Sequence, residues 1–321
     1  MGSALVLAGG GVTGIAWESG VLAGLAAGGL DTQQWDLVVG TSAGAYVGAR
    51  LALDGSPWPL FAVQTSGNDA AEEDGLAVLF GAGFVRAVRL SRRRPLRWLG
   101  SVWLAGFIAT TLVRHAAGNG IGSTVSLVRK VRRGREVASA QDFATGMAAV
   151  AGTNRRRSTV LIEHWEHALG SGRGWPDMRL IATAIDVGDG SRVLFDSASG
   201  VSLVGAIAAS TCLPGLAAPI ELLGRRFMDG GIVSPANADV AAGHEQVWIV
   251  CPAAAVSLDR ETAELRSTGS TVHLIQPSET ARHALPPGLG EFDPARRLAA
   301  ARTGFADGQA AAAATRNGTA S

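Results

Sequence analysis

Cysteine is scarce: the 321-residue chain carries two, Cys212 and Cys251. Each lies in an apolar stretch without metal-ligand spacing, which excludes a disulfide framework and a cysteine metal centre and suits buried thiols in a reducing compartment. Charge is also sparse, at 17% of residues and a net +1. A global polyanion-binding surface, and with it a nucleic-acid partner, is therefore not expected. No apolar run reaches the roughly 20 residues that a spanning helix needs. The start of the chain, Met1 to Val6, lacks a basic n-region, a long apolar core and a cleavage site. Val6 stands where a myristoylation signal needs Ser or Thr. The expectation is a cytoplasmic protein, at most peripheral at a membrane. Acidic residues are missing altogether between Asp74 and Glu136, a local absence taken up below.

What the chain has in quantity is hydrophobic residues, 47%, and 43 glycines. Length and composition suit a large α/β core rather than disorder. Ala4 to Ala8 reads as a continuously apolar strand, as expected for a parallel strand covered on both faces. Gly9-Gly10-Gly11-Val12-Thr13-Gly14 follows, then a helical pattern from Ile15 to Ala27 that stops at Gly28-Gly29. A second strand, Trp35 to Val39, runs into Gly40-Thr41-Ser42-Ala43-Gly44 and a helix from Ala45 to Leu53. The pattern is one βαβ unit with a G-x-S-x-G at its second strand-to-helix turn. Such a turn either caps the helix with Ser42 or holds Ser42 in a strained, exposed conformation as a nucleophile beside the helix N-terminus.

The glycine loop matches the dinucleotide pattern G-x-G-x-x-G, but that fold needs an acid at the end of the second strand for the ribose. Asp36 lies at the start of that strand instead. The other use of successive glycine N–H groups is an anion nest, here for an oxyanion. In a parallel βαβ unit the loops after both strands lie at the same sheet edge, so Ser42 and the glycine loop are expected as neighbours.

Arg86 to Arg135 carries twelve cationic residues and no acid, an excess suited to an anionic partner. Within it the uncharged stretch Trp98 to Val113 contains Trp98, Trp103 and Phe107. It is too short to span a bilayer and fits either an interfacial or lid helix or a core helix. Helices are expected over Asp142 to Gly152 and Arg156 to Leu169; His164 and His167 in the second read as a polar stripe rather than a metal site. Met178 to Val187 and Arg192 to Asp196 form one expected hairpin, and Ile220 to Met228, broken at Gly224-Arg225, another. The second ends in Asp229-Gly230-Gly231, an acid in a tight turn. A short helix is expected over Pro235 to Ala242, strands over Gln246 to Cys251 and Thr271 to Ile275, and a final helix entered through Asp293-Pro294.

A serine nucleophile needs a base. The order Ser42, Asp229, then His273 or His283 would suit a triad, but an α/β-hydrolase places its nucleophile later than the first βα unit. The alternative is a carboxylate that itself takes the serine proton.

Taken together, Gly9-Gly10-Gly11-Val12-Thr13-Gly14, Gly40-Thr41-Ser42-Ala43-Gly44 and Asp229-Gly230-Gly231 resemble the three-part signature of the patatin-like phospholipase family, with Ala209-Ser210-x-Cys212-x-Pro214 resembling the stretch before the acid. The resemblance implies a three-layer α/β/α fold with a mainly parallel sheet and a helical insertion at 57–174, within one domain over 1–315 and a flexible tail at 316–321. It implies Ser42 as nucleophile, Asp229 as base, and Gly9, Gly10 and Gly11 as oxyanion donors, with Gly14, Gly40, Gly44, Gly230 and Gly231 as motif glycines. The implied substrate is a lipid or phospholipid ester, with no cofactor and no metal, and the basic insertion 86–135 would meet an anionic membrane. Thr13 stands where many members carry Arg or Lys. A non-catalytic lipid- or partner-binding protein on the same fold is the other reading, ahead of a dinucleotide-binding protein.

Overall fold

The computed structural model of the chain describes residues 2–67, 75–77, 79, 82–92, 155–213, 217–253 and 256–317. The expected segments Trp98 to Val113 and Asp142 to Gly152, and the basic stretch beyond Arg92, lie outside the described residues.

Strand β1 (Ser3–Leu7) is followed by helix α1 (Gly11–Ala27), strand β2 (Leu37–Thr41) and helix α2 (Ala43–Asp54). Helices α3 (Trp58–Thr65), α4 (Ala82–Ser91) and α5 (Arg155–Leu169) come next. Then β3 (Leu180–Asp186) and β4 (Arg192–Phe195) form the first hairpin, and α6 (Leu203–Ser210) leads into the second, β5 (Ile220–Leu222) and β6 (Arg225–Asp229). The chain closes with β7 (Gln246–Val250), α7 (Val256–Ser267), β8 (Thr271–Ile275), α8 (Glu279–Ala284) and α9 (Arg297–Arg316). Both hairpins fall where the Gly188-Asp189-Gly190 and Gly224-Arg225 signals put them.

The eight strands among the described residues form one sheet in the order β5-β6-β3-β2-β1-β7-β8, with β4 paired to β3. Strands β3, β2, β1, β7 and β8 run parallel, while β4, β5 and β6 add antiparallel pairings. The alternation of side chains along a strand sorts β1 into two cores. Leu5 and Leu7 pack with Trp17 and Leu22 of α1, Val47 and Leu51 of α2, and Ala300 and Ala301 of α9. Ala4, Val6 and Ala8 pack on the opposite face with Leu258 and Leu265 of α7. The result is three layers, α/β/α, around a mainly parallel sheet.

On one face α1 and α9 lie almost in backbone contact, through Gly20 and Gly24 on α1 and Gly304 and Gly308 on α9. A Cβ at any of these positions would run into backbone atoms of the facing helix. Trp17 Nε1 donates to Asp307 at 2.9 Å and orients the pair.

Two local outcomes differ from the sequence pattern. The second strand is shifted to Leu37–Thr41 because Gly40 pairs with both Leu7 and Ala182, and Thr41 pairs with Thr183. Pairing on two sides outweighs glycine's weak strand preference. Over Pro235 to Ala242 only a 3₁₀ turn forms, Ala238–Ala241, because Asn237 adopts a left-handed backbone (φ 51°) that breaks a continuous helix.

Candidate active site

The site is assembled on one edge of β3. Strand β4 pairs with residues 182–185 of β3, which leaves the opposite edge for both β2, opposite 180–183, and β6, opposite 184–186. Strands β2 and β6 therefore run head-on along that edge and end at adjacent positions: Thr41 opposite Thr183, Asp229 opposite Ala184. The residue after Thr41 is Ser42. Register alone thus brings together a serine and an acid 187 positions apart in the chain.

Ser42 occupies φ 54°, ψ −119°, at the N-terminus of α2. A non-glycine residue there carries strain of about 1–3 kcal/mol, held by the surrounding packing. Its backbone N–H donates to Ser210 Oγ at 3.0 Å, and Gly44 N–H donates to Ala8 O at 3.0 Å. A side chain at Gly44 would collide with the Leu7 carbonyl, so the elbow can press against β1 only with glycine there. Ser42 makes no side-chain cap to its helix, and its side chain is half-buried at the head of α2. The capping alternative therefore has no support in the geometry.

Asp229 is 2% exposed. Its Oδ1 accepts the Gly231 N–H at 2.7 Å, and its own N–H donates to Cys212 O at 3.0 Å. Oδ2 has no aligned hydrogen-bond partner among the described residues. Burial pushes the Asp229 pKa up to about 6, against the opposing pulls of the nearby Ser42 hydroxyl and the Gly231 N–H. The Ser42 hydroxyl thus lies near the carboxyl without an aligned hydrogen bond to Oδ2. A buried carboxylate with this pKa is half-protonated near pH 6 and has the basicity a proton acceptor needs.

The glycine loop lies beside the elbow, as the βαβ geometry requires; a Cβ at Gly9 would touch that of Ser42 at 3.4 Å. Gly9 N–H is engaged by Pro235 O at 2.8 Å. Of the three glycines expected as oxyanion donors, Gly10 and Gly11 have N–H groups without an acceptor among the described residues. Gly11 starts α1 at φ 62°, with the Glu291 backbone packed where a side chain would stand. Gly14 lies within the first turns of α1, Gly40 in β2, and Gly230 against Thr183 of β3. Thr13 is fully buried, so the position does not face solvent.

The histidine alternatives lie elsewhere. His273 is on β8, at the opposite end of the sheet from β6, stacked on Trp248 and bonded to Gln246. His283 is bonded to the Glu279 carbonyl on α8. His164 packs edge-on against Trp165 on α5, and no cluster of three metal-ligating side chains occurs among the described residues.

Two residues that bond to the turns of the site, Ser210 and Asn237, have no role assigned to them by the sequence motifs. Ser210 was legible only as part of the stretch before the acid. Asn237 follows Ser234-Pro235-Ala236, and its tolerance of left-handed backbone is the one clue to its place. Glu18 is fully buried on α1, near the Ala8 backbone. Burial holds its carboxyl well above the usual range.

A family profile described as Patatin-like phospholipase matches residues 5–242. The chain belongs to the patatin-like phospholipase family. Among solved structures it is similar to VipD from Legionella pneumophila (13% identity, TM-score 0.42, 98% of this chain and 67% of that one). It is also similar to the type III effector protein ExoU (16% identity, TM-score 0.32, 96% of this chain and 53% of that one). A third similarity is to full-length ExoU in complex with SpcU, from the type III secretion system of Pseudomonas aeruginosa (18% identity, TM-score 0.33, 94% of this chain and 52% of that one). The chain spans about half the length of ExoU. No curated protein sequence matches it. No helix among the described residues is long and apolar enough to cross a membrane.

Proposed function

We propose that this chain hydrolyses carboxylic-ester bonds of lipids through an acyl-enzyme on Ser42, with Asp229 as its base. The observation that carries the reading is the meeting of the strained Ser42 elbow with the buried, half-satisfied carboxylate of Asp229 at adjacent register positions along β3. Ser42 Oγ attacks the acyl carbonyl carbon as Asp229 accepts the hydroxyl proton. Gly10 and Gly11 N–H groups stabilise the tetrahedral oxyanion. Collapse breaks the ester C–O bond, and Asp229 returns the proton to the departing alcohol. Water then attacks the acyl-enzyme by the same route, giving the free carboxylic acid and restoring Ser42.

Gly9 N–H holds the glycine loop to Pro235 in this scheme rather than binding the oxyanion. The basic insertion 86–135 is proposed to meet anionic lipid, tested by co-sedimentation with vesicles with and without phosphatidylserine. Binding that ignores lipid charge would remove that part of the proposal.

The chemistry is tested by incubating wild type and Ser42→Ala with mixed phospholipids and neutral lipids and weighing the products by mass spectrometry. Release of fatty acid by wild type and its loss in the folded variant is expected. Hydrolysis undiminished in Ser42→Ala would sink the assignment. A fluorophosphonate that fails to label Ser42 would favour a non-catalytic lipid-binding role.

A further inference from the structure

Two turns of the proposed site meet at one side chain, and the backbone beside it holds the third loop. Asn237 is fully buried and its amide Nδ2 lies 2.7 Å from Ser234 O, 3.1 Å from Thr41 Oγ1, 3.3 Å from Thr183 Oγ1 and 3.4 Å from Gly230 O. Thr41 immediately precedes Ser42, and Gly230 immediately follows Asp229. The turn that presents Asn237 also supplies Pro235 O, which holds the Gly9 N–H of the glycine loop, and Ala236 O, which accepts from Thr41 Oγ1 at 3.3 Å. On its other side Asn237 Oδ1 accepts from Arg192 Nη1 at 3.1 Å, and Arg192 in turn forms a two-pronged ion pair with Asp239 at 2.7 and 2.6 Å. The guanidinium has only donors, so it fixes which end of the amide faces which way. The NH2 must then point at the carbonyls and threonine hydroxyls of the site.

We infer that Asn237, oriented by Arg192, is a positioning residue that sets the nucleophile turn, the acid turn and the glycine loop relative to one another. The inference rests on the Ser42–Asp229 reading. Two donor hydrogens shared among four oxygens, one each from β2, β3, the acid turn and Asn237's own turn, tie together segments that the chain separates by up to 196 residues. The site needs this because β2 and β6 meet end to end and share no ladder hydrogen bonds that would set the gap between Ser42 and Asp229. A misplacement near 1 Å at a reacting pair costs roughly 100-fold in rate.

Asn237→Gly and Asn237→Asp separate the backbone from the amide. Glycine accepts the positive φ while deleting the side chain. Aspartate keeps size and the Arg192 contact but replaces the NH2 donors with an acceptor facing carbonyls. Both are expected to lower kcat roughly 100-fold, with KM little changed and a displaced acid limb in the pH–rate profile. Arg192→Met, at a partly exposed position, is expected to show the same kcat-only pattern at smaller size, which keeps the test open where an Asn237 variant does not fold. Rates are normalised to sites titrated with a fluorophosphonate, so loss of folded protein does not register as loss of kcat. Variants with a lower melting temperature but unchanged kcat and pH profile per titrated site would overturn the inference and leave the catalytic reading standing. A folded wild type that neither hydrolyses esters nor labels at Ser42 would overturn both.

Discussion

Ser210 Oγ accepts the backbone N–H of Ser42 at 3.0 Å. Ser210 is the last residue of α6 and fully buried, and the bond helps hold Ser42 in a backbone conformation it would not adopt alone. Ser210→Ala removes the acceptor and leaves a buried N–H unpaired, at a cost of about 1–3 kcal/mol. The expected outcome is a lower melting temperature together with a drop in kcat of about tenfold or more, recovered in part by Ser210→Thr. Steady-state kinetics on a short-chain p-nitrophenyl ester, with melting curves alongside, check it; a variant with unchanged kcat would show that the elbow is held without this bond.

The pH dependence follows from Asp229. Its pKa is raised to about 6, and it must be ionised to take the serine proton. Activity is therefore expected to be full above that value and to fall as pH drops through about 6. An unshifted carboxylate would keep the rate flat down to its ordinary value of 3.8. The measurement is kcat/KM against pH, and a limb near the ordinary carboxylate value would contradict a buried base.

Glu18 makes a stability prediction of definite sign. Its folded pKa is raised well above the usual 4.5 by burial, so the folded state favours the neutral acid. Stability is then fully present below pH 4.5 and declines as pH rises toward the folded pKa, because only the unfolded chain ionises freely. Glu18→Gln removes the ionisation and keeps the shape. Its melting temperature relative to wild type is expected to rise between pH 5 and pH 8, read by differential scanning calorimetry. A difference independent of pH would mean that Glu18 is ionised in the folded protein.

The α1–α9 contact predicts a large effect from a small change. A Cβ on Gly24 would overlap the Phe305 carbonyl oxygen and approach Gln309 N. Gly24→Ala on a solvent-facing helix would stabilise by helix propensity. Here overpacking is expected to dominate and destabilise by about 1–3 kcal/mol, measured by urea denaturation. A stabilised variant would show that the two helices separate easily.

The sequence by itself determined the local chemistry. Apolar runs marked β1, β2 and β7, glycines marked the loop and the elbow, and Gly188-Asp189-Gly190 and Gly224-Arg225 marked the hairpins, because periodicity and turn chemistry are properties of neighbouring residues. It also marked Ser42 and Asp229, through motifs whose resemblance to a family stood in for the missing distances. Helix α7 left little trace: among its described side chains, Leu258 and Leu265 anchor it to the core while Glu261 is buried to accept the Ala238 N–H at 2.8 Å.

Only the tertiary structure decided how the pieces meet. Pairing across β3 placed Thr41 and Asp229 at successive positions, which no window of sequence contains. The capture of Gly9 N–H by Pro235 O, and the reach of Asn237 across β2, β3 and the acid turn, are likewise long-range. A residue's type says which hydrogen bonds it can make; which groups come within 3 Å of it is settled by strand register and layer packing.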